Sequence, residues 1–148
     1  MKKKILWGLL IVLVIIQFIR PEKNKSATIS ANDLSTQFDM PANVQGILKK
    51  ACNDCHSNNT VYPWYSNIQP VGWWLQKHVN DGKKELNFSE FGNYTAKRQR
   101  KKWEEIAEEV REKEMPLKSY TYTHSGARLS AGDREMLVSW AESHIAQP

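Results

Sequence analysis

The sequence predicts an all-α fold, and three observations carry that reading. Apolar residues recur at three- and four-residue steps in several windows, no stretch of useful length alternates like a strand, and helix-starting residues stand ahead of the periodic segments. With 148 residues, 41% hydrophobic and 25% charged, the chain is one domain's worth with one small core.

The elements follow in order. Residues 5–19 are apolar except Gly8 and Gln17 and follow Lys2, Lys3 and Lys4, which fits a secretory signal or an uncleaved anchor over residues 1–20. As a helix they span about 22 Å against a hydrocarbon core of about 30 Å. Snorkelling by Lys3, Lys4 and Arg20 closes part of that gap, and Trp7 suits an interface. A cleavage site wants small residues soon after the apolar run, but 20–25 are Arg-Pro-Glu-Lys-Asn-Lys and the first alanine is Ala27. The reading favoured is a retained single-pass anchor in the cytoplasmic membrane, lysines inside and the rest facing the periplasm or exterior. Residues 21–39 are polar and read as a tether. The remaining residues, 40–148, are expected to form the one folded domain.

Within that domain Pro41 suits a first helical turn, and Val44, Ile47, Leu48, Ala51 and Cys55 then share one helical face. Residues 57–69 are loop-like and dense in aromatics. Pro70 opens a helix with Trp73, Trp74, Leu75 and Val79, which Asp81-Gly82 ends. A third helix from about Thr95 to Lys113 aligns Ala96, Gln99, Trp103, Ile106, Ala107 and Val110. A fourth, capped by Ser130, carries Leu137, Trp140, Ala141 and Ile145.

Cys52-Asn53-Asp54-Cys55-His56 uses the only two cysteines of the chain. Two thiols three positions apart can add to the two vinyl groups of one haem, and the histidine after them is placed to ligate the iron. A structural zinc site would need two more ligands from His56, His78, His124 and His144, at spacings that match no familiar finger. A dithiol redox pair would stand at a strand-to-helix junction, and no strand precedes this one. The motif agrees with export, because bacterial attachment of this kind is made outside the cytoplasmic membrane on reduced thiols. No cysteine lies near the apolar run, which excludes a lipid anchor there. The expected architecture is a cytochrome c-like helical domain around one haem c, with the C-terminal helix crossing the first. Six Trp, five Tyr and four Phe offer burial for the apolar macrocycle, although Trp103 and Trp140 read equally well as plain core.

His56 is the proximal ligand, its second ring nitrogen donating to a carbonyl for which Pro70 is the leading candidate and Pro63 a weaker one. For the sixth position the candidates are Met40, Met115, Met136, His78, His124 and His144. Met115 precedes Pro116, which pushes it out of the helical region just after the third helix, so its thioether can reach the haem from a separate segment. Met40 starts the helix that bears the cysteines, about 16 Å away. Met136 reads as a core methionine, and His78 or His124 would give bis-histidine ligation at lower potential.

The haem motif, Tyr62-Pro63-Trp64-Tyr65-Ser66, Trp73-Trp74-Leu75, Glu85-Leu86-Asn87-Phe88-Ser89 and Met115-Pro116-Leu117 together resemble the short, usually exported bacterial haem-binding domain proteins. The resemblance covers about residues 42–146. It implies haem binding, with Cys52, Cys55 and His56 at the motif and Met115 at the family's Met-Pro ligand position. Nothing is attached to Gly72.

The formal charge of +5 is concentrated at the start: outside the first 20 residues 17 positive face 16 negative side chains, which gives no general case for nucleic acid. Lys97, Arg98, Arg100, Lys101 and Lys102 precede six glutamates on the third helix, against the preference of the helix dipole. Either this is a solvated face, or the basic end steers an acidic redox partner or meets the haem propionates. The function expected is single-electron transfer by a membrane-anchored monohaem protein rather than catalysis, with a haem-based sensor or NO/CO/O2 binder as the alternative. A peroxidase would usually need a second haem motif.

Overall fold

The computed structural model describes residues 1–145; positions 146–148, the end of the expected haem domain, lie outside the described residues. Among these the fold is all-α: eight helices joined by loops and three short 3-10 turns, with no strand. The helices are α1 (Lys2–Ile16), α2 (Leu34–Gln37), α3 (Ala42–Ala51), α4 (Asn53–His56), α5 (Val71–Glu85), α6 (Ala96–Arg111), α7 (Lys118–Thr123) and α8 (Ala131–Ile145).

The core forms where α6 packs on α8 and α8 on α3. Val44, Ile47 and Leu48 of α3, Trp103, Ile106, Ala107 and Val110 of α6, and Leu137, Trp140 and Ala141 of α8 are all buried in it. Trp103 and Trp140 meet edge to face at 5.1 Å between ring centroids, the offset geometry that ring quadrupoles prefer. They are plain core residues. The C-terminal helix thus does reach the first helix of the domain, though its main partner is α6.

Local chemistry sets the boundaries. Thr95 accepts from the Arg98 amide to start α6, and Ser130 with Asp133 forms a reciprocal cap on α8, each accepting from the other's amide. The helix expected to run unbroken from Pro41 to the cysteines is interrupted at Cys52, whose ψ of −43° is paired with a φ of −126°. The motif therefore has its own short turn, α4. Gly82 does not end α5, which continues to Glu85. Its role is close approach: a Cβ there would lie 2.7 Å from the Cys55 carbonyl oxygen, so only glycine lets α5 pack on α4. Gly72 is equally confined, a Cβ meeting the Ser66 carbonyl oxygen at 2.3 Å.

The N-terminal segment departs from expectation. No helix among the described residues is long and apolar enough to cross a membrane, so the structure does not support a membrane-spanning N-terminal helix. α1 stops at Ile16, after which Gln17 turns its side chain to the domain, donating to the Gln69 carbonyl at 3.0 Å and accepting from the Gln69 amide at 2.9 Å. Residues 21–39, expected as a tether, lie along the domain. Asn24 bonds Ser57 and Thr60, Leu34 is buried, and Phe38 packs edge-on against Phe91 and Trp103.

Candidate functional site

A cavity of about 610 Å³ opens between α3, α4, the end of α5, α6 and the 115–120 segment. Cys52, Cys55, His56 and Met115 all line it. Of the other candidates for a second iron ligand, only His78 reaches this cavity. His124 lines a neighbouring one, and Met40, Met136 and His144 line neither. Met136, expected in the core, is exposed. His144 instead stacks on Trp103 at 4.7 Å between centroids.

The His56 ring is held at its back. Nδ1 lies 3.0 Å from the carbonyl oxygens of both Gly82 and Leu86, so it carries the proton and Nε2 keeps its lone pair. These acceptors replace the expected Pro70 or Pro63 carbonyl. The reason is that Gly82 lets the end of α5 approach α4 closely, so that its own carbonyl, which also accepts from the Leu86 amide, and the Leu86 carbonyl just past the helix both face the imidazole. Burial lowers the His56 pKa, the Leu86 and Gly82 carbonyls oppose this, and Lys102 adds to the lowering. The neutral form is the one that binds metal.

Both thiols are unsuited to redox exchange. Burial, reinforced by Cys55, pushes Cys52 to about 12, and burial with nearby Asp54 pushes Cys55 to about 11. A dithiol catalyst needs the opposite. Among the described residues no cluster of three or more His, Cys, Asp or Glu is placed to hold a metal ion.

Met115 is held by its backbone. Its amide donates to the Glu109 carbonyl at 3.1 Å, and Arg134 of α8 donates to both the Val110 and Met115 carbonyls at 2.9 Å. Lys102 is a buried cation on the wall, bonded to Glu105. Burial pushes the Glu105 carboxyl up, but bonds from Lys102 and Lys101 outweigh this and leave it below the ordinary value.

Sequence reasoning missed several of these roles. Asp54, inside the motif, accepts from the Tyr120 hydroxyl at 2.7 Å and from the Val61 amide at 2.9 Å, tying α4 to α7 and to the following loop. Burial and Asp54 hold the Tyr120 phenol well above its usual pKa. Gly82 and Leu86 act through their carbonyls and the Arg134 guanidinium acts on the carbonyls of other residues, and no local pattern marks such contacts. The expected aromatic bed is also absent: Phe88 and Tyr120 line the cavity, no tryptophan does, and aliphatic side chains make up most of the apolar wall.

These residues fit a haem: a mostly apolar cavity of cofactor size, two thiols on its wall, an imidazole with a free lone pair and a thioether from another segment. No curated protein and no solved structure matches the chain. A family model, the haem-binding domain, matches residues 11–143, a span that contains every residue of the cavity wall. The chain therefore belongs to the haem-binding domain family.

Proposed function

We propose that the chain is an exported monohaem c-type protein that transfers single electrons, held at the outer face of the cytoplasmic membrane by its apolar N-terminus. Cys52 and Cys55 carry the haem through thioethers, and His56 and Met115 ligate the iron. The observation that carries this reading is the convergence of these four residues from α4 and the 115–120 segment on one cavity, with His56 Nδ1 already occupied by carbonyls.

Bound haem supplies the one-electron couple of its iron. The chain's own residues set the conditions for it. The Gly82 and Leu86 carbonyls fix the imidazole tautomer and raise its basicity as a ligand. The Glu109 and Arg134 contacts keep the Met115 segment in place, which favours a filled coordination sphere over substrate chemistry. Lys102 supplies a buried positive charge beside Glu105, suited to one propionate.

The test is the ferric spectrum of the purified protein. The weak near-infrared band of methionine–iron ligation should be present, vanish in Met115→Ala and survive in His78→Ala. A sensor or small-ligand binder is the second reading. It is favoured by a nearly apolar cavity of about 320 Å³ that shares Cys55, His78, Leu117 and Tyr120 with the first. Absence of the band, with ready carbon monoxide binding to the reduced protein, would replace the first reading by the second.

A further inference from the structure

Residues 61–74 expose an unusual amount of apolar surface. Val61 is 78% exposed, Trp64 76%, and Ile68, Val71 and Trp74 between 41% and 50%. Single exposed apolar residues need no explanation, but five in one short stretch do. Val61, Val71 and Trp74 also line the same cavity, so these three meet in space and not only in sequence.

What covers this stretch is indicated by the segment strapped to it. From Ile5 on α1 is apolar on all sides, and it buries no residue. A helix that is hydrophobic all round belongs in a protein core or in lipid, and no core surrounds this one. Its end is fixed to the stretch by the paired Gln17–Gln69 hydrogen bonds and by the Trp73 indole, which donates to the Ile19 carbonyl at 2.7 Å. Phe18 and Ile19, at that junction, are exposed as well. Where α1 enters lipid, residues 61–74 therefore lie at the level of its boundary.

The charges agree. Arg20, Lys23 and Lys25 follow the apolar run with Glu22 as the one acid among them. Lys23 is held beside the stretch, its Nζ 2.9 Å from Asn67 Oδ1 and 5.1 Å from the Tyr62 ring centroid. Tryptophan prefers the membrane–water interface, and lysine near it is drawn to anionic headgroups.

We infer that the 61–74 face is a second membrane contact, seated on the headgroup region of a bilayer containing anionic phospholipid, so that the haem domain stands at a fixed orientation and does not swing on a tether. This rests on the anchoring part of the proposed function.

The test uses the full-length holoprotein in vesicles of phosphatidylcholine and phosphatidylglycerol. Val61→Cys and Trp64→Cys each introduce a third cysteine at an exposed site, and Ser139→Cys does so on α8, which packs on α6 and α3. Modification by a membrane-impermeant polyethylene glycol maleimide is read as a gel shift, the parent chain sets the background, and an unchanged haem spectrum reports a folded variant. The expected result is modification at 61 and 64 at least tenfold slower than at 139, with the difference reduced by high salt in the parent background and already reduced at low salt in a triple Arg20→Gln, Lys23→Gln, Lys25→Gln background. Equal rates at all three sites on vesicle-bound protein would overturn the docking face while leaving the anchor intact. A chain that does not sediment with vesicles would overturn the anchor, and the docking face with it.

Discussion

Four side chains line the site, and two of them, His56 and Met115, are placed by contacts with another segment. His56 illustrates this most simply: its lone pair faces outward because two carbonyls at the end of α5 hold its other nitrogen. Met115 depends in the same way on Arg134, whose guanidinium spans the Val110 and Met115 carbonyls. Arg134→Ala leaves the thioether and the haem attachment residues untouched but frees the segment. The expected outcome is a weakened near-infrared band and faster carbon monoxide binding with covalent haem content unchanged, measured on the purified variant. A purely structural arginine would instead lower thermal stability with the band intact. Cys52, Cys55, His56 and Met115 could be singled out because a motif and a Met-Pro step are local patterns, and the structure brings all four to one cavity. Gly82 and Arg134 were not, because a carbonyl acceptor or a close backbone approach leaves no trace in residue type.

The helices were legible where periodicity and capping agreed. Thr95 and Ser130 mark the starts of α6 and α8, and both accept from amides of the first turn. The breaks were harder. Apolar spacing runs through Cys52 without interruption, yet the chain breaks there, and Gly82 reads as a stop although it lies inside α5. In both cases tertiary packing between α4 and α5 overrides local preference. The α8 cap also yields a pH prediction. The Ser130 amide, then Lys50 and the Ser130 hydroxyl, hold Asp133 below its usual 3.8. Its contribution to stability is thus present above that unfolded-chain value and is lost as pH falls through the lower folded-state value. Melting curves should show Asp133→Asn less stable than the parent at pH 7, and the difference should close in acid. A gap that persists unchanged in acid would contradict the assignment.

At the scale of the whole molecule, one arrangement links core and site. α6 turns its buried Trp103 face to α8, while Lys102, Glu105 and Glu109 of the same helix reach the cavity wall. The cavity is therefore built on the helix that organises the core, and its aliphatic lining leaves the tryptophans for the core and the surface. That division of aromatics was not visible in composition, because counting rings does not say which of two apolar volumes they fill. The contacts of residues 21–39 were hidden for a related reason: polarity marked them as a tether, but Asn24, Leu34 and Phe38 find partners on the domain that no local window contains. The central proposal, one haem covalently held by Cys52 and Cys55, is tested most directly by the intact mass of the exported protein under denaturing conditions. The expected mass is that of the chain plus one haem, reduced to the bare chain when both cysteines are replaced by serine. A parent protein that releases its haem on denaturation and shows the mass of the chain alone would contradict it.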